Sequence, residues 1–275
     1  MSGCFFIFEF IGIHKERFVA SASSTAPGIR QGVAPLRAGQ GYSFLLRRLH
    51  SLSGIIPVGA FLFEHILVSN STAITGPDAY ARQVSFLANL PLVFFLELFG
   101  VWLPISFHAL YGFYIWYRGD GNAVAYPWSG NWMYTAQRWT GGIAFAYILW
   151  HTYTMRFTGV DLHSDPGYSF TKVQLEVMRT GPFLFYVVGL VAASWHFAYG
   201  IWLFSAKWGI VSGDKAQKRL LRLCLAFFIV LCGAGLASLY SFRSRPLAED
   251  QPNQAALQSR HDAGEHGASS GRPVQ

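Results

Sequence analysis

PISFHALYGFYIWY, running from Pro104 to Tyr117, sets a single histidine in the middle of an apolar stretch that, with its neighbours, is long enough to cross a bilayer. An imidazole at that depth is unfavourable without a partner, so an ionisable residue there marks a functional site. The phrase then recurs. FHALYGFYIW at 107–116 matches WHFAYGIWLF at 195–204, with His, Tyr and Gly in the same three places. His108 and His196 therefore read as two parts of a repeated pocket.

The composition agrees with a membrane chain. Hydrophobic residues make up 52% of the sequence, charged residues 13%, and the mean hydropathy is +0.29. A soluble domain carries roughly 25% charged residues. The 275 residues leave room for several spans, each needing roughly 20 residues. A net charge of +7 raises nucleic acid as a partner, but the basic residues lie in loops between apolar runs, which is the pattern of membrane orientation. Membrane lipid, and no nucleic acid, is the expected environment. Cys4 stands alone, and Cys224 and Cys232 lie too far apart along one predicted helix to bridge. No C-x-x-C-H occurs, so any haem would be held by ligation and not by thioether links.

Outward from the opening phrase, five apolar segments predict an all-α, five-transmembrane-helix bundle over 44–244, with helices near 46–69, 91–117, 136–158, 181–206 and 216–242. Pro91 and Pro182 fall at helix starts, where a missing N–H costs little. Pro57 and Pro104 fall inside helices, where a bundle tolerates a kink. Residues 1–43 read as a flexible N-terminal extension, apolar but too short to span over 1–13 and rich in Ser, Ala, Gly and Pro over 20–41. Residues 245–275 read as a disordered C-terminal tail rich in small and polar residues. Lys and Arg concentrate at Arg47 and Arg48, at Arg118 and Arg138, and at Lys207, Lys215, Lys218, Arg219 and Arg222. That bias puts the N-terminus inside and the C-terminus outside, with Arg243 and Arg245 counting weakly against it.

With that orientation the histidines sort by depth. His65 and His151 lie past the midpoints of outward-running helices, and His108 and His196 past the midpoints of inward-running ones. The two layers differ by roughly 10–15 Å at about 1.5 Å per residue. Two pairs from alternate helices suit two stacked macrocycles, each with two axial imidazoles. Ser53-Gly54 and Thr140-Gly141 precede His65 and His151 by about three turns, on the same face at inner depth. Gly112, Gly189 and Gly200 also thin the walls. His50, in RRLHSLSG at the inner boundary, reads either as an interface residue or as a contact to a haem propionate or quinone headgroup. Glu97, eleven residues before His108, reads either as a structural hydrogen-bond partner or as a proton-handling group beside an outer quinone. His14, His163, His261 and His266 lie in polar loops or ends and read as solvated side chains.

RRLHSLSGIIPVGAFLFEH (47–65), HALYG (108–112), NWMYTAQRWTG (131–141), LWHTY (149–153), WHFAYG (195–200) and SAKWG (205–209) closely resemble the dihaem cytochrome b subunit of bacterial succinate:quinone oxidoreductases, and most closely the succinate dehydrogenase type of Gram-positive bacteria. The likeness runs from about Phe44 to Phe242. It implies a membrane anchor in the bacterial cytoplasmic membrane with two haems b, His108 and His196 on the inner iron and His65 and His151 on the outer one. It also implies flavoprotein and iron–sulfur partner subunits on the inner face, and a quinone, menaquinone by family type, as electron acceptor. Ser51, Gln137 and Lys207 match polar positions near the inner haem and its propionates, and Lys207 is also suited by charge to meet such an anion. Some fumarate reductase relatives carry a glutamate two residues before the last ligand, whereas this chain has Ser194 there. Succinate oxidation is therefore the expected direction. The sequence has no flavin fingerprint and no cysteine cluster, so it does not oxidise succinate alone. The anchor of a different membrane dehydrogenase, or a non-redox proton or metal carrier, are the alternative readings.

Overall fold

The computed structural model describes residues 38–119 and 128–247, so the expectations for the N-terminal extension and the C-terminal tail fall almost entirely outside the described residues. Within them all regular structure is helical. The first rod starts at Ala38, inside the stretch read as a lead-in, and forms α1 (Ser43–Thr75). It is followed by α2 (Pro77–Ala88), α3 (Val93–Arg118), α4 (Ser129–Thr152, prolonged through Tyr153–Phe157), α5 (Ser169–Met178), α6 (Thr180–Lys207) and α7 (Asp214–Ser244).

Four of these, α1, α3, α6 and α7, are long and apolar enough to cross a membrane. Helix α4 has 24 residues, about 36 Å at 1.5 Å per residue, also enough to span. Asn131, Gln137, Arg138 and Thr140 in its first half keep its hydropathy below that of the other four. Its main neighbour is α6, which packs as extensively on α7 at its other side. Helix α3 leans on α1, and its apolar window is not buried by the rest of the chain. Phe94, Phe95, Leu96, Phe99, Leu103 and Leu110 are exposed along it. So large an apolar surface is stable only against hydrocarbon.

The short helices α2 and α5 were not anticipated. Each is amphipathic and too short to span, and each lies in a connection read as loop. They close the end of the bundle opposite the basic residues, packing Tyr80, Phe170, Val173 and Val177 against Ala73, Tyr186, Leu239 and Phe242. The α3 start also differs. Leu92 adopts a left-handed conformation with φ 56° and delays the helix to Val93, past the expected start at Pro91. Pro57 interrupts α1 at Ile56, yet Ile56 N–H still reaches Leu52 O at 2.9 Å, so the rod continues. Three wide π turns, Glu64–Asn70, Leu98–Trp102 and Tyr153–Phe157, occur toward this same end. The first contains His65 and the last begins two residues after His151.

Polar side chains bind this end to the backbone. Lys172, 9% exposed, donates to the carbonyls of Met155, Thr158 and Val160 at 2.8, 2.7 and 2.6 Å, capping the end of α4. Burial pulls its ammonium below the usual lysine value, and the three carbonyls work against that by favouring the charged form. Arg243 donates to Val177 O at 2.9 Å and lies over the Phe183 ring, and Arg245 donates to Ile74 O at 3.0 Å. These two arginines, which count against the charge-based orientation, are thus engaged as structural caps. Lys172→Met, which keeps the stem and removes the donors, is expected to lower stability by about 2–3 kcal/mol, read as a lower melting temperature in detergent; an unchanged melting temperature would show that the cap is dispensable.

Candidate cofactor site: two histidine pairs

The four intramembrane histidines meet in the two pairs their depths predict. The ring centroids of His65 and His151 are 5.7 Å apart with planes at 67°, and those of His108 and His196 are 6.1 Å apart with planes at 82°. The His108 ring lies against Gly54 on α1, where a Cβ would run into it. The His196 ring lies against Gly141 on α4, where a Cβ would fall 2.8 Å from its Cε1. Gly54 precedes His65 by eleven residues and Gly141 precedes His151 by ten, so the layers are separated by about 15 Å along the helices.

The inner rings are oriented by peptide carbonyls. His108 Nδ1–H donates to His50 O at 2.9 Å, and His196 Nδ1–H donates to Gln137 O at 3.0 Å. A neutral imidazole with its proton on Nδ1 leaves the Nε2 lone pair free to bind a metal. In the outer layer His151 Nδ1 is hydrogen-bonded to the Tyr186 hydroxyl at 3.2 Å, and Phe61 stacks on His65 with centroids 5.2 Å apart. Tyr186 itself is buried at 4% exposure among Tyr147 and His151. It precedes His196 by ten residues, the same three-turn interval that singles out Gly141, so the spacing argument applied to α6 would have found it.

The remaining predicted residues divide into those near the inner pair and those away from it. His50 stacks on His108 at 4.1 Å and 10°, its Nδ1 buried and without a hydrogen-bond partner. Ser51 accepts from Trp208 Nε1 at 3.0 Å, and Arg48 lies over the same indole. Lys207 is exposed at the end of α6, close enough to Arg47, Arg48 and His50 for their charges to interact. Gln137 is buried between α4 and α6, its Nε2 donating to His196 O at 2.9 Å. Ser194 is fully buried and its hydroxyl has no partner. Glu97, by contrast, pairs with Arg156 at 3.2 Å on the exposed side, and Arg156 also reaches Asp161 at 3.5 Å. The ion pair supplies the partner that its structural reading requires. The wall-thinning glycines face side chains: Gly112 faces His50, Gly200 faces Gln137 and Gly189 faces Tyr147.

A set of apolar helices that turns four imidazoles inward, in two pairs at two depths, defines a membrane protein of the helical-bundle class. No family model matches the chain. It is 34% identical over 203 residues to the succinate dehydrogenase cytochrome b558 subunit of Bacillus subtilis (strain 168), an alignment covering 72% of this chain and 96% of that protein. The chain belongs to the succinate dehydrogenase cytochrome b membrane subunits.

The close seats under the inner rings are directly testable. Gly54→Val and Gly141→Val are each expected to displace the facing imidazole and to destabilise by about 1–3 kcal/mol. Gly233→Ala, at an α7 position with open space around it, is expected to be neutral or stabilising by up to about 1 kcal/mol. Thermal denaturation in detergent measures all three.

Proposed function

We propose that this chain is a five-span membrane anchor and electron carrier of succinate:quinone oxidoreductase, with its N-terminus inside and two haems b bound, His108 and His196 on the inner iron and His65 and His151 on the outer one. The observation that carries the reading is the spacing of the ring pairs. Metal–imidazole bonds of roughly 2 Å on opposite sides of one ion put the two ring centroids roughly 6 Å apart. Both observed separations, 5.7 and 6.1 Å, meet that condition. The carbonyl partners of His108 Nδ1 and His196 Nδ1 also leave Nε2 as the ligating atom.

When bound, a b haem cycles between ferric and ferrous iron and carries one electron at a time. The residues of this chain do the rest. The four histidines fix and orient the irons, and the apolar helices keep water from them. His50, Ser51, Gln137 and Lys207 surround the inner layer, where Lys207 supplies positive charge for a propionate. The basic end, with Arg47, Arg48, Arg138 and Lys207, is the docking face for the iron–sulfur and flavoprotein subunits, which hold the succinate site. Menaquinone takes the electrons at the outer end. There Glu97, its side chain 37% exposed and ion-paired with Arg156, is the carboxylate placed to hand on protons. Ser194 provides no carboxylate beside the last ligand, in keeping with succinate oxidation.

A reduced-minus-oxidised spectrum with haem quantification on the purified protein tests the proposal. Two b haems per chain are expected. His196→Ala should remove one of them together with succinate-driven quinone reduction, and His65→Ala should remove the other. Absence of a b-type band in the wild type, or two haems retained in His196→Ala, would overturn it.

A further inference from the structure

The two inner imidazoles are seated in the same way by two different segments. His108 donates to the carbonyl of His50 and rests on Gly54, four residues further on; His196 donates to the carbonyl of Gln137 and rests on Gly141, again four further on. The donor and its acceptor are 58 residues apart in one case and 59 in the other. His50 precedes His65 by fifteen residues and Gln137 precedes His151 by fourteen. Helices α1 and α3 thus repeat the arrangement of α4 and α6, and His50 and Gln137 occupy equivalent places.

Their side chains do different things there. The His50 ring lies flat on His108. The Gln137 side chain, 9% exposed, crosses to α6, and its Nε2 donates to the backbone carbonyl of His196 at 2.9 Å. The amide is oriented by its partner, because a carbonyl oxygen accepts only from the NH2 side. One residue therefore holds His196 twice, by its own carbonyl at the ring and by its side chain at the peptide. Gly200, one turn further along α6, lies beside this amide; a Cβ there would stand in ordinary contact, 3.5 Å from the nitrogen. Thr140 Oγ1 lies nearby, 2.7 Å from Ala136 O and 3.2 Å from Gln137 O.

We infer that Gln137 is a positioning residue for His196: its amide locks the α6 backbone at the ligand, so that the imidazole meets the inner iron at a fixed ring angle and with its Nδ1 bond to α4 intact. This rests on the reading that His196 ligates the inner haem, and it differs from a contact to the haem edge, which would leave the ring angle unchanged. A hydrogen bond to a ligating imidazole tunes its basicity, and with it the electronic state of the metal. In a water-free interior no solvent replaces a lost amide, so removing it frees both the ring and the helix that carries it.

The experiment compares wild type, Gln137→Leu and Gln137→Glu in the assembled complex, by redox titration and by the electron paramagnetic resonance of the low-spin ferric haems, whose anisotropy reports the angle between axial ring planes. The inner centre is identified as the one lost in His196→Ala. Gln137→Leu is expected to keep both haems while shifting the signal and midpoint potential of the inner centre alone. Gln137→Glu, which is neutral when buried and keeps an O–H donor at the same reach, is expected to restore both. Unchanged inner-centre signals in Gln137→Leu, equal shifts in both centres, or a Gln137→Glu shift as large as that of Gln137→Leu would each overturn the inference. If Gln137→Leu does not accumulate, Gln137→Asn, whose amide falls one methylene short, serves in its place with the same expected and overturning results. Absence of haem in the wild type would instead refute the ligation reading itself.

Discussion

A ring N–H inside a bilayer must find an acceptor, and in this protein the inner histidines find it in the peptide backbone of a neighbouring helix. Helical carbonyls are already bonded four residues on, so a second donor reaches them only where two helices come very close. That requirement accounts for Gly54 and Gly141. Each removes the Cβ that would otherwise occupy the space of the imidazole. The close crossing in turn sets how α1 meets α3 and how α4 meets α6, and α7 then packs on the far side of α6. Loss of either glycine would separate the carbonyl from its donor and leave a buried polar group unsatisfied.

The two ends of the bundle solve different problems. At the end with α2 and α5, cations are turned back onto helix carbonyls: Lys172 on α4, Arg243 on α5 and Arg245 on the end of α1. Gln174 and Ser241 add bonds from α5 to Arg245 O and from α7 to Ala73 O, both at 2.7 Å. This end is closed by its own side chains. The opposite end carries more cations, and there, among the described residues, Arg138 alone is turned back in this way, onto Trp116 O and Gly119 O at 2.6 and 2.8 Å. The bundle is thus capped by its own side chains at the end where the π turns widen the helices, and charged at the other.

Long apolar helices and the approach of the histidines in pairs were legible in the sequence because each rests on a period or a count. The interval from Gly141 to His151, for example, places the first against His196 once the helices are antiparallel. The short helices α2 and α5 were not legible, since twelve and ten residues of mixed polarity carry no more signal than a loop until Tyr80 and Phe170 find Phe242. Lys172 was hidden for a related reason. Its charge fits a solvated turn, and only the tertiary return of α5 over the end of α4 brings its ammonium to three carbonyls. Glu97 is less easily read: helical spacing put it on the ligand face, and the π turn Leu98–Trp102 lies between it and His108. One wide turn rotates every residue that precedes it, and Glu97 emerges beside Arg156.

The near-repeat of α1–α3 in α4–α6 gives the pocket an approximate twofold plan, and its departures show how the two halves have diverged. At one equivalent position Gln137 ties two helices together; at the other His50 brings a third imidazole to the inner layer, with its Nδ1 unsatisfied. The cations divide in the same sense. Arg138, next to Gln137, has its guanidinium on two carbonyls, whereas Arg47 and Lys207, beside His50, make no hydrogen bond or ion pair among the described residues. A buried nitrogen lacking a partner and two uncommitted cations therefore share the α1–α6 side of the basic end. An anionic group approaching the inner layer gains there from both cations. On the opposite side the Arg138 guanidinium is already turned onto two carbonyls, although Gln137 Oε1 and Arg138 Nε are also buried without a partner.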